Sequence, residues 1–289
     1  IDTQGNYSWA AFDQIKQTHF APGRAAVFHY NMWIHSLPIE RNGSSGQSRN
    51  PDDFDSGASD FIVSLGGGDP NGGWQWKNDV GSPWDQAGTF MHELGHNLGL
   101  RHGGTDEFNY KPNYLSVMSY AFQLPGLIKN ESQGNFDYSR FKLPALNEQN
   151  LDETATLTAT PATTDKYGTY WFCGPPKAMP SINALTSPID WNCDKVISTT
   201  VAANINAGWN DQDAEESLLE GPSDWERLVY TGGALGQPGA SVQLPDVTEA
   251  AEITKEEADR IPVLYPEILA AAPDMVETWA LQSTLTGHT

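Results

Sequence analysis

Apolar positions in residues 8–20 (Trp9, Phe12, Ile15 and Phe20) fall near helical spacing ahead of Pro22-Gly23, which predicts a short helix. Residues 25–37 and 60–65 are runs of aromatic and β-branched residues, the second closed by Gly66-Gly67-Gly68, and predict strands. His29 and His35 fall on the first run and read as partly buried sheet residues without a chemical role. The polar residues 38–59 between the two runs predict an exposed loop. Ser82-Pro83-Trp84-Asp85 then supplies an N-cap, a proline at the first helical position and an acidic residue at the third. The helix it starts should bury Ala87, Phe90 or Met91, Leu94 and Leu98, and stop at Gly99. Beyond residue 103 the pattern loosens into loops, with helical turns expected near 146–153 and 214–229. After Gly232-Gly233 two more helices are expected, at 248–261 and 264–282, and the acidic run Glu249 to Glu257 reads as a solvated helix face.

Composition narrows what this pattern can serve. The 289 residues carry 37 Asp and Glu against 16 Lys and Arg, a formal charge of −21, which excludes a nucleic-acid binder needing a basic face. Ten Trp, ten Tyr and eleven Phe give too much aromatic surface for an acidic disordered chain, while 27 Gly and 19 Pro favour long loops and short elements. No apolar run approaches the roughly 18 residues of a membrane span. The two cysteines, Cys173 and Cys193, lack Cys-x-x-Cys spacing; they can pair once, which suits an extracellular protein, or stand as two separate thiols.

The chemistry concentrates in one place. Three of the seven histidines, His92, His96 and His102, fall in eleven residues. His92 and His96 are i and i+4 on the expected helix, so both rings face one point, and Glu93 lies beside them as a general base by position. Gly99 can turn the chain sharply and swing His102 back as a third ligand. Three imidazoles and an open fourth position describe a catalytic zinc site, in which a bound water is acidified and Glu93 carries its proton to a leaving amine.

These residues resemble the metzincin clan of zinc metallopeptidases. His92-Glu93-Leu94-Gly95-His96-Asn97-Leu98-Gly99-Leu100-Arg101-His102 matches the clan's HExxHxxGxxH, and Ser116-Val117-Met118-Ser119-Tyr120 looks like its Met-turn. Gly103, after the third histidine, matches none of the best-known families, and the surrounding text looks like secreted microbial members of the clan. The resemblance implies an α+β fold, with a mixed twisted sheet and two long helices above a zinc cleft and a largely irregular lower subdomain. It implies that Phe61 to Leu65 forms the cleft edge, where a polypeptide or glycoprotein substrate adds as an extended strand. It also implies that Met118 packs beneath the metal and that Tyr120 stabilises the oxyanion. The expected organisation is an upper catalytic subdomain at 1–102, a lower one at 103–232 with the Met-turn, and a C-terminal helical tail at 233–289.

Asp190, Asn192 and Asp194 open like a calcium loop, but Lys195 and Val201 stand where an EF-hand needs Gly and Glu. A different Ca²⁺ cage with Asn204, Asn206, Asp211 or Asp213, or plain turn chemistry, are the alternatives. Together these features predict a secreted, monomeric zinc endopeptidase. The rival readings are a catalytically silent metal-stabilised binding module and a zinc hydrolase of another bond, such as an ester.

Overall fold

The computed structural model describes residues 9–21, 24, 28–37, 43–49, 60–68, 75–157, 166–173, 179–182, 184–186, 188–208, 217–228 and 252–263. Among them the fold is mixed α and β, with small sheets and four helices and no barrel. The first half contributes helix α1 (Ala10–His19), strands β1 (Tyr30–Trp33), β2 (Gly46–Ser48) and β3 (Asp60–Val63), and helix α2 (Pro83–Asn97). The strands form a mixed sheet in the order β1-β3-β2, with β3 parallel to β1 from Tyr30↔Asp60 to Trp33↔Val63 and antiparallel to β2 from Gly46↔Val63 to Ser48↔Phe61.

β3 is therefore central. All four of its residues are buried and both of its edges are paired, so it cannot be the cleft edge that receives another strand. The unbroken apolar run Phe61-Ile62-Val63 is what a strand covered on both faces requires. The edge lies instead at β2, in the segment expected to be an exposed loop. Residues 43–49 are buried despite their polarity because partners satisfy the polar groups. Asn97 Nδ2 donates to Ser48 Oγ at 2.6 Å, Gln123 Nε2 donates to Ser45 Oγ at 3.1 Å, and Arg49 holds Asp13 of α1 at 2.6 and 3.0 Å. On the far side of the sheet, Lys16 of α1 reaches both oxygens of Asp60 at 2.7 Å.

The ends of α2 form as its sequence dictates. Ser82 Oγ accepts from the Asp85 N–H and the Asp85 carboxylate accepts from the Ser82 N–H, closing a capping box on Pro83. At the other end Leu100 N donates to Gly95 O and Gly99 N to His96 O, both at 3.0 Å, with Gly99 at φ +84°; this is the paired bonding of a Schellman turn. The buried face differs from expectation. Ala87 and Phe90 are exposed and Met91, Leu94 and Leu98 half-buried, while Gly88, Thr89, His92, Glu93, Gly95, His96 and Asn97 face inward. The two inward glycines explain this choice: a Cβ on Gly88 would strike Gln123 O, and one on Gly95 would strike Met118 Sδ. The helix approaches its neighbours by its small and polar face, where backbone and sulfur come closest.

Below α2 lie helix α3 (Tyr120–Gln123) and the strand pairs β4 (Leu127–Lys129) with β5 (Ser132–Asn135), β6 (Leu143–Asn147) with β9 (Leu218–Gly221), and β7 (Thr169–Tyr170) with β8 (Ser181–Ile182). Of the helical turns expected near 146–153 and 214–229, the described residues keep a turn at Asn147 to Asn150 and one helical turn at Asp224 to Leu228, while β6 and β9 pair antiparallel beside them. Asn113 Nδ2 ties this pair together by donating to Pro144 O at 2.9 Å and Leu219 O at 2.8 Å, a long-range bond that local periodicity does not carry. Between these strands, buried carboxylates replace regular structure. Glu148 accepts from the N–H groups of Ile205 and Ser217, Glu153 from those of Asn192 and Ser198, and Asp224 from Tyr114, Ser116 and Ser139. Cys173 and Cys193 are joined in a disulfide.

The tail also departs from expectation. Helix α4 is only Lys255–Ala258, capped by Thr254 and Glu257, and residues 252–254 before it are not helical; residues 248–251 lie outside the described residues. Ser45 N donates to Ile253 O at 3.0 Å and Lys255 N to Gly43 O at 2.9 Å, an antiparallel bridge beside β2. Ile253 and Ile261 enter the main core. This stretch is thus built into the body, because its apolar residues find a sheet flank that only the fold creates. The helix expected at 264–282 lies outside the described residues.

Candidate metal centre

α2 delivers His92 and His96 one turn apart, and backbone carbonyls fix both rings. His92 Nδ1 lies 2.9 Å from Val117 O and His96 Nδ1 lies 2.9 Å from Leu100 O. A carbonyl can only accept, so each Nδ1 carries the proton and each Nε2 presents a lone pair. The two Nε2 atoms stand 3.0 Å apart. The Schellman turn sends the chain back so that the His102 ring stacks beside His92, with centroids 5.2 Å apart. Its Nδ1 lies 3.2 Å from Glu107 Oε2, leaving Nε2 buried without a hydrogen-bond partner. The three predicted ligands therefore meet.

A fourth donor joins them from the tail. Glu252 is buried, with one oxygen 3.0 Å from His92 Nε2 and 3.7 Å from His102 Nε2 and the other 3.4 Å from His96 Nε2. Ligand atoms of His92, His96, His102 and Glu252 lie within 4.8 Å of one another, a group that can hold a metal ion. Lone pairs facing lone pairs in a buried site repel unless a cation lies among them, so the donors fit such an ion. The rings differ in protonation. Burial lowers His92 to about 4, which keeps it neutral. For His102, burial opposes the charged form, but the carboxylates of Glu107 and Glu252 outweigh it and raise the ring to about 9, so a metal there displaces a proton.

Glu93 is also fully buried, and neither of its oxygens has a hydrogen-bond partner. It lies beneath Gly46 of β2, where a Cβ would strike its Oε1. Burial and the charge of Glu252 push its carboxyl well above the usual range. Burial opposes ionisation of Glu252 too, but the imidazoles around it more than offset this and hold it well below that range. The two carboxylates share one pocket with Glu252 as the charged member. Tyr120 borders the site, its ring 4.7 Å from His102 and 5.8 Å from His92 between centroids. Burial, then Glu252, keeps its hydroxyl protonated. Met118 is buried beneath α2 with Leu100, Tyr114, Val117 and Tyr138. Asp224 fixes the turn that carries it, accepting from Tyr114 Oη at 2.7 Å and Ser116 Oγ at 2.6 Å.

Other predicted features fall elsewhere. Asp190, Asn192 and Asp194 spend oxygens on their own loop: Asp190 accepts from the Asp194 and Lys195 N–H groups, Asn192 from that of Asp194, and Asp194 from that of Val196. Asn206 donates to Asn109 O, and Asp211 and Asp213 lie outside the described residues. His35 is not a sheet residue; it is exposed and pairs with Asp79 at 2.9 Å. Sequence reasoning missed Glu107 and Glu252. Glu107 follows His102 by five residues, a local signal that could have been used, whereas Glu252 sits in an acidic run with nothing to distinguish it. Comparison of the chain with protein-family models, with curated proteins and with solved structures finds no match.

Proposed function

We propose that this chain is a zinc endopeptidase. The observation that carries the reading is the convergence of three Nε2 atoms, those of His92 and His96 set by Nδ1 bonds to carbonyls, beside a buried carboxyl group, Glu93, whose oxygens are unpaired. A nitrogen-rich donor set favours zinc over magnesium or calcium. When bound, such an ion acidifies water and polarises a carbonyl. With the cation bound and the charge of Glu252 no longer opposing its ionisation, Glu93 would take the proton of the attacking water and pass it to the leaving amine. The Tyr120 hydroxyl donates to the developing oxyanion, Met118 supports the histidines from below, and the β2 edge aligns an extended polypeptide. The disulfide supports an extracellular setting, and no helix among the described residues is long and apolar enough to cross a membrane.

One observation favours a second reading. Glu252 makes four protein donors, the number typical of a structural site, which suits a metal-stabilised binding module. The deciding assay uses the zinc-loaded chain and its Glu252→Ala variant on unfolded casein, each with and without chelator. Chelator-sensitive cleavage by either supports the peptidase. No cleavage by both, with zinc retained, supports the binding module. In a cleaving background, Glu93→Ala should keep zinc by metal analysis and lose cleavage by about 10² to 10⁴-fold; retained cleavage would sink the role of Glu93.

A further inference from the structure

We propose that the segment around Glu252 is an internal latch: Glu252 is the fourth ligand of the cation, and the strand it leads fills the β2 flank that an extended substrate needs. The proposal rests on the peptidase reading for what the latch excludes. Its evidence is the convergence of two independent contacts. The first is the carboxylate itself, placed within 3.0 to 3.7 Å of all three Nε2 atoms from a position 150 residues beyond His102. The second is main-chain pairing of the next residues with the segment leading into β2, antiparallel at Ser44↔Thr254, through Ser45 N to Ile253 O and Lys255 N to Gly43 O. A carboxylate on the metal joined to an extended segment bridged to the residues leading into β2 is the arrangement a bound peptide would adopt.

The anchors lie outside the metal centre. Ile253 and Ile261 are buried in the core, and the Lys255 ammonium stands over the Trp76 ring at 5.5 Å from its centroid. These contacts hold the strand where it competes with any substrate at high effective concentration. Among the described residues they include two backbone hydrogen bonds to residues 43–45, one from Tyr170 Oη to Pro262 O at 3.0 Å, Ile253, Ile261 and Ala258 against the core, one cation–π contact and one carboxylate. Such a segment can leave without dismantling the sheet, since β2 keeps its pairing to β3. As folded, the chain is latent, and cleavage requires the segment to move off β2 and the histidines.

The test loads the full chain with Co²⁺ and follows its visible absorption while acetohydroxamate, a small metal-binding anion, is added. Glu252→Ala should bind acetohydroxamate at a concentration about tenfold or more below that needed by the unaltered chain, because a closed site lowers apparent affinity by its open fraction. Ile253→Glu keeps every donor but unseats the strand, and should shift the titration the same way; it carries the comparison if Glu252→Ala does not fold or load. Equal titrations, within about twofold, for the unaltered chain and the folded variants would overturn the latch. Variants that open to acetohydroxamate yet cleave no casein would leave the latch standing and remove the peptidase reading.

Discussion

His102 shows how a single side chain is prepared for a metal. Its Nε2 can face the other two histidines only if Nδ1 is occupied, and Glu107 occupies it at 3.2 Å. A carboxylate behind a ligating imidazole fixes the tautomer and raises the basicity of the donor nitrogen. Glu107→Gln should therefore weaken zinc binding by about 10 to 100-fold, measured by competition with a chromogenic chelator, while leaving the unfolding transition of the metal-free protein nearly unchanged. Unaltered zinc affinity would show that Glu107 is a bystander. His92 and His96 use main-chain carbonyls for the same purpose, at Val117 and Leu100. That choice welds the site to the turn around Met118 and to the end of α2. The histidines and Glu93 were legible in the sequence because a helix makes i, i+4 spacing a statement about space. Glu252 was not, since its meaning comes from a bridge between residues more than 200 apart in the chain.

Among elements, α2 is set by its ends and by its glycines. The capping box and the Schellman turn are local, and the sequence marks both with Ser82, Pro83, Asp85 and Gly99. Which face turns inward is a tertiary decision. Counting apolar residues favoured Phe90 and Leu94, but Gly88 and Gly95 allow a closer approach on the opposite side. Gly88→Ala should cost about 1 to 3 kcal/mol in urea unfolding, because its methyl meets the carbonyl of Gln123, which cannot rotate away as a side chain can. A shift under about 0.5 kcal/mol would mean that α3 yields freely. α1 is tied to the sheet by charge: Asp60 is fully buried, and Lys16 and Arg49 offset the burial that pushes its carboxyl up. Lys16→Met leaves that carboxylate with Arg49 alone, at 3.6 Å, and is expected to destabilise the fold by about 3 kcal/mol, read from the same denaturant titration. The double change Lys16→Met with Asp60→Asn should recover part of that loss.

At the scale of the molecule, the site and the fold share one set of bonds. The four groups that could hold a metal come from α2, from the turn after it and from the tail, so an ion that binds them stabilises the folded chain by mass action. Removing metal with a chelator should lower the melting temperature, and adding zinc back should restore it in a concentration-dependent way; a melting temperature indifferent to zinc would contradict the site. The disulfide closes a separation of 20 residues and should contribute about 3 kcal/mol, so reduction is expected to lower stability whether or not metal is present. The net charge of −21 is partly internal: Asp60, Glu93, Glu148, Glu153, Asp224 and Glu252 are buried, most of them accepting from backbone or side-chain donors.

The sequence by itself determined the local things: where α2 begins and ends, the common face of His92 and His96, the return of His102 after Gly99, and the two cysteines able to pair. Each depends on atoms a few residues apart or on a single pairing, and short-range geometry is written in spacing and residue type. Only the tertiary structure decided that β3 lies inside the sheet, that the polar segment at 43–49 is buried and carries strand β2, that α2 turns its small face inward, and that Glu252 meets the histidines. Those outcomes depend on which distant groups satisfy a buried hydrogen bond, a charge or a close backbone approach, and no window along the chain contains both partners.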